Sequence, residues 1–213
     1  YISNSKTNNK PFFAFATYTS PHWPLQVDEK FTDKYEGIYN SGYDKLKEER
    51  FKNLKKLNII SSSASLPKSH QRLKPWNDLS NSDKKIESKK MELYAGMIEN
   101  LDFNIGRIIN YLKKIDEYEN TLIVFMSDNG AAAEDFYNNP IYGPYLKNNF
   151  SVKYDDMGKE NSFISLGTGW AEASSAPFKF FKGLPTQGGI VSPLIISGYG
   201  VDRKDYFSNK FIT

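Results

Sequence analysis

Apolar residues recur at three- and four-residue steps through Tyr94, Met97, Ile98, Leu101, Ile105, Ile108, Ile109 and Leu112, while Glu92, Glu99, Lys113 and Lys114 fall off that stripe. The spacing predicts an amphipathic helix whose stripe packs into the core. Three other segments are apolar without that period. Residues 12–17 (FFAFAT) sit between Pro11 and Ser20-Pro21 and read as a buried strand followed by a loop. Residues 122–126 (LIVFM), a few positions after Lys114, read as a second buried strand. Residues 190–197 (IVSPLIIS) read as a third, at an edge or with a bulge because of Pro193. A helix feeding a strand is the unit of parallel sheets, so the fold class is α/β, an open, mostly parallel sheet flanked by helices. In such sheets ligands gather beyond the carboxyl ends of the strands.

Between these elements, residues 28–88 turn polar and Lys-rich, which predicts a surface excursion holding a short helix over residues 43–57 and a new start near Pro75. The chain's 213 residues, 39% hydrophobic and 15% aromatic, suffice for one packed domain. Twenty-eight Lys and Arg against 25 Asp and Glu are too balanced for nucleic acid or an anionic membrane as main partner. No apolar run approaches the roughly 20 residues of a membrane span. There is no Cys, which excludes disulfides, thiolate metal sites and a Cys nucleophile within this segment. The chain starts at Tyr1 and runs out on Phe211-Ile212-Thr213, the look of another apolar element beginning, so it is expected to be a fragment truncated at both ends.

Three constellations carry candidate chemistry. In TSPHWPLQ, Pro21 and Pro24 bracket His22 and Trp23 and present the imidazole from a stiff loop. Such a histidine either donates a proton near neutral pH or serves a structural hydrogen bond. His70 lacks that framing and is expected to be solvated. The strand 122–126 stops on Ser127-Asp128-Asn129-Gly130, which is either a turn or a pair of oxygen ligands, Asp128 and Asn129, for a hard cation. Asp155 and Asp156 follow a polar segment and read as a solvated loop. Finally, Lys182 precedes Gln187-Gly188-Gly189, whose glycines permit close backbone approach, and it is placed either to pair with an anionic oxygen or at the surface, the place expected for Lys179. Trp23 and Trp170 either line a pocket or pack.

Six collinear blocks, PFFAFATYTSPHWPLQ, YEGIYNSGYDKLKEER, MELYAGMIENLDFNIGRIINYL, LIVFMSDNG, GWAEASSAPFKFFK and QGGIVSPLI, resemble the sulfatase family, in its arylsulfatase-type branch with the alkaline-phosphatase-like fold. The resemblance spans nearly the whole chain and implies a partial sulfatase catalytic domain over residues 1–213. It places Asp128 and Asn129 on two calcium ligands, with magnesium as the alternative ion. His22 falls on the histidine that contacts the ester oxygen, and Lys182 on the lysine that holds a sulfate oxygen and the leaving oxygen. Both are thereby implied as catalytic and substrate-binding residues.

The departures are specific. The family's nucleophile is a formylglycine made in a Cys/Ser-X-Pro/Ala-X-Arg motif, and that motif is absent here, as are the aspartate pair that completes the calcium site and the Lys and His that follow the nucleophile. All are expected upstream. The usual Glu-Gly-Gly-Ile-Arg reads Gln187-Gly188-Gly189-Ile190-Val191. The resemblance thus implies hydrolysis of a small-molecule or carbohydrate sulfate ester, in a periplasmic or secreted protein. This fragment alone is expected to be inactive and poorly stable. A phosphodiesterase or phosphonate monoester hydrolase on the same fold, or a non-catalytic relative, are the alternatives.

Overall fold

The computed structural model describes residues 1–202 and 208; the apolar ending at Phe211 to Thr213 lies outside them. Among the described residues, besides short 3-10 turns, six α-helices and two strands are placed: α1 (Ile2–Thr7), α2 (Gly42–Lys56), α3 (Asn81–Lys114), β1 (Leu122–Met126), α4 (Gly143–Asn149), α5 (Thr168–Ser175), α6 (Gln187–Ile190) and β2 (Leu194–Gly198). Helix α3 starts well before the stripe that predicts it. Ser80 explains the start, because its side chain accepts a hydrogen bond from the Asp83 N–H at 3.1 Å as an N-cap.

The core gathers around Trp170, which is 0% exposed and packs against Tyr43 (ring centroids 5.6 Å), Trp76 (5.8 Å) and Tyr39 (5.8 Å) in edge-on geometries. Edge-to-face packing matches the quadrupoles of aromatic rings and fills the space between α2, α3 and α5. The Trp170 indole N–H donates to the Glu87 carbonyl at 2.9 Å, fastening α5 to α3. Residues 28–88 thus do more than cover a surface: they supply Tyr43, Phe51 and Trp76 as buried side chains.

A buried ion pair closes the same layer. Lys47 on α2 meets Glu172 on α5 at 2.9 Å, with both side chains almost fully buried. The other Glu172 oxygen accepts the His70 backbone N–H at 2.6 Å. Glu92, expected on the outer face of α3, is likewise buried, its carboxylate accepting the Gly37 N–H at 2.9 Å and lying 3.6 Å from Lys89. Partners of this kind are what let a carboxylate sit inside.

The stripe of α3 is only partly core. Met97 and Leu112 are buried, but Ile98 and Ile108 stay exposed. The strands depart further from expectation. β1 and β2 form a two-stranded antiparallel ladder, with Leu122 opposite Gly198 and Met126 opposite Leu194. Pro193 stands just ahead of β2, where a missing N–H costs no ladder bond, and the strand expected from Ile190 begins only at Leu194, Ile190 itself ending the helical turn α6. Among the described residues no parallel strand pair is present, and β1, read as buried, carries exposed Leu122, Val124, Phe125 and Met126. Residues 12–17 form no strand; Phe13 and Phe15 are 82% and 83% exposed. A strand needs a neighbour to take its backbone hydrogen bonds, and among the described residues this run has none.

Candidate active site

His22 sits on a loop held at both ends. Ser20 Oγ donates to the Met97 carbonyl on α3 at 3.1 Å, and the Leu25 N–H donates to the Ile164 carbonyl at 2.8 Å. Both prolyl bonds of the loop, Ser20–Pro21 and Trp23–Pro24, are cis. Trp23 packs against Phe136 (4.6 Å between centroids) and Phe163 (5.7 Å), and against the His22 ring itself (4.5 Å). The two tryptophans therefore divide: Trp170 is core, and Trp23 is a wall beside His22.

Lys182 arrives from the other end of the chain. Its Nζ lies 3.1 Å from His22 Nε2, across 160 positions of sequence. His22 Nδ1 is 3.1 Å from the Trp23 carbonyl, which can only accept, so that nitrogen carries the hydrogen. Nε2 then faces the lysine as the acceptor. The pair is half-buried, whereas Lys179 is exposed, as expected, with its Nζ 4.7 Å from the centre of the Phe180 ring.

The loop after β1 is tied to the lysine loop by main-chain bonds. The Lys182 N–H donates to the Ala131 carbonyl at 3.1 Å, and the Gly130 N–H donates to the Gly189 carbonyl at 3.1 Å. Glycine is required on both sides. A Cβ on Gly130 would fall 1.8 Å from the Gly188 carbonyl oxygen, and one on Gly188 would fall 2.1 Å from that of Phe180. Ser192 adds a clamp, its hydroxyl donating to the Ser127 carbonyl at 2.6 Å. Asp128 and Asn129 are thus carried by a loop bound to the segment that bears Lys182, with Asp128 exposed and Asn129 half-buried.

A carboxylate and an amide oxygen suit a hard cation in kind. They fall short in number, since such an ion takes about six to eight oxygens and no group of three His, Cys, Asp or Glu side chains placed to hold a metal occurs among the described residues.

Sequence reasoning missed a further feature. The buried side-chain atoms without a hydrogen-bond partner among the described residues are Trp23 Nε1, Glu134 Oε2, Ser165 Oγ and Thr186 Oγ1. Trp23 adjoins His22. Glu134 lies between Ala131, which takes the Lys182 N–H, and Phe136, which packs on Trp23. Ser165 follows the Ile164 that anchors Leu25, and Thr186 belongs to the lysine loop, its carbonyl taking the Gly189 N–H. Unsatisfied buried polar atoms cost about 1–3 kcal/mol each, and these four belong to segments that are bonded to, or adjoin in sequence, those bearing His22 and Lys182. Nothing in the order of residues announces them. His70, expected in solvent, is half-buried, with its ring 5.4 Å from Phe180.

The family model described as Sulfatase matches residues 1–208. The chain is 39% identical over 212 residues to an uncharacterized sulfatase of Schizosaccharomyces pombe, covering 98% of this chain and 38% of that protein. It is 38% identical over 197 residues to the arylsulfatase of Klebsiella aerogenes, covering 91% and 42%. A solved structure, Ps i-CgsB in complex with k-i-k-neocarrahexaose, overlaps 92% of this chain and 25% of its own with a TM-score of 0.46 and 21% identity, too loose a fit to refine the geometry. The chain spans about two fifths of the length of the two relatives.

Proposed function

The chain belongs to the sulfatase family, and on that premise we propose that it forms part of the catalytic domain of a sulfuric ester hydrolase of arylsulfatase type. The observation that carries this reading is the 3.1 Å contact between Lys182 Nζ and His22 Nε2. An ammonium offers three donors. One can rest on His22 while the others meet oxygens of a bound sulfate, so the same group orients the anion and steadies the imidazole. His22, fixed through Nδ1 by the Trp23 carbonyl, keeps Nε2 toward the space Lys182 shares. In its doubly protonated form the ring carries a hydrogen on Nε2 as well, turned from the lysine toward the ester oxygen, and passes that proton to the oxygen of the departing alcohol or phenol, returning to the Nδ1–H form that accepts from Lys182. Lys182 stabilises the charge that grows on that oxygen and on the sulfuryl group.

Asp128 and Asn129 would hold a calcium ion, or magnesium, whose charge would polarise the sulfuryl oxygens. The nucleophile, a formylglycine in the family pattern, is assigned to a part of the protein preceding Tyr1, together with the remaining cation ligands. β1 and β2 are assigned to a larger open sheet, a placement supported by the apolar side chains they expose and compatible with one antiparallel pair in a mostly parallel sheet. The substrate is a small-molecule or carbohydrate sulfate ester, and the protein's place is the periplasm or outside the cell.

Turnover of an aryl sulfate and of the matching phosphate ester by the full-length protein, in calcium, tests the assignment. The sulfate ester is expected to react faster. Faster phosphate release would move the site to phosphoryl chemistry, and inertness toward both would make the chain a non-catalytic relative.

A further inference from the structure

The loop bearing Lys182 is shaped by contacts outside the reacting groups. Phe180 adopts φ +65, a left-handed conformation that a bulky side chain holds only when its surroundings enforce it. What surrounds it is His70. The imidazole meets the Phe180 ring edge-on at 5.4 Å and the Phe181 ring at 6.1 Å. His70 is in turn fixed from beneath. Its backbone N–H donates to Glu172, 2% exposed, and Lys47 holds both Glu172 at 2.9 Å and the hydroxyl of the neighbouring Ser69 at 3.0 Å. A line of contacts therefore runs from the buried pair between α2 and α5, through His70, to the two phenylalanines immediately before Lys182.

We propose that His70 is a positioning residue for the anion site: its ring acts as an aromatic wedge that holds Phe180 and Phe181 and so fixes where Lys182 places its ammonium. The inference rests on the reading of Lys182 as the sulfate-holding group. Two supports meet at this loop. On one side the Lys182 N–H is bound to the Ala131 carbonyl. On the other, the wedge stops the phenylalanines from rotating away. The role needs only a flat ring of about the right size. His70 Nδ1 is directed at the Arg72 backbone N–H, 3.3 Å away, within its own turn.

The test is the affinity of the full-length protein for inorganic sulfate, measured by calorimetry beside melting temperatures. Small displacements of a positioned group are costly, so H70A is expected to weaken sulfate binding roughly fivefold or more. H70F, which keeps the ring, is expected to stay within about twofold of wild type on the same argument. Phe180→Gly removes the other half of the contact while favouring the positive φ. It is expected to match H70A, and H70A with Phe180→Gly to be no weaker than the worse single variant. If H70A fails to fold, Phe180→Gly decides alone. Wild-type affinity in H70A or Phe180→Gly, or H70F as weak as H70A, overturns the wedge. Lys182→Ala separates the two claims: if it leaves sulfate affinity intact, the lysine assignment itself falls and the wedge with it.

Discussion

The layer around Trp170 and the β1–β2 ribbon are both rich in large apolar side chains, yet one is sealed and the other open. Trp170 is 0% exposed, whereas Met126 is 60% exposed and Ile195 59%. The difference lies in partners. α2 and α5 interlock rings with Tyr39 and Trp76 while α3 takes the Trp170 indole hydrogen bond, whereas the ribbon satisfies its backbone through one ladder and, among the described residues, leaves its side chains without a covering layer. The candidate site lies where the two regions meet: His22 is anchored to α3, and Lys182 is tied to the loop leaving β1. On the proposed function, the site thus joins a buried half to one whose apolar side chains are exposed among the described residues.

The contrast can be broken at its strong end. Trp170→Ala removes the ring on which Tyr39, Tyr43 and Trp76 converge and is expected to cost about 3–5 kcal/mol in denaturant unfolding of the full-length protein. A cost near zero would mean the layer is not the core. At the open end, Val124→Thr keeps shape but adds a hydroxyl opposite Ile196. If the proposed sheet covers the ribbon, the cost is about 1–2 kcal/mol, and a smaller one would leave the ribbon solvent-facing. Between them, Ser80→Ala strips the cap from α3 and is expected to cost about 1 kcal/mol by the same unfolding measurement.

The smallest effect is a titration. Hydrogen bonds from Lys34 and then Tyr35 hold the Glu99 carboxyl below its ordinary value. A lowered folded pKa contributes stability that is present above the ordinary carboxylate range and is lost as pH falls through the folded value. Lys34→Ala should move the Glu99 titration, followed by NMR, upward toward that range.

Much of this arrangement is legible along the chain, and the rest is not, for physical reasons. The 3.6-residue period of α3 and the apolar run of β1 are local, and both elements fall where their patterns place them. Burial is not local. The same run that makes β1 a strand says nothing of whether another layer covers it, and residues 12–17 have strand composition without a neighbour among the described residues to pair with. His22 and Lys182 are each visible as candidates from proline framing and from the nearby glycines. Their contact is not, because 160 residues separate them and only the folded backbone brings Gly130 against Gly189. His70 reads as solvated along the chain for the same reason: the ring it meets, Phe180, is far away in sequence.

The most direct test of the central claim is a double-mutant cycle in sulfate ester turnover with His22→Ala, Lys182→Ala and the pair. Losing a preorganised charge-stabilising group costs roughly 10²–10³ in rate, so Lys182→Ala alone should fall by that order. If the two groups act as the touching unit seen here, the double variant will be little slower than the worse single one. Full additivity of the two losses would contradict it.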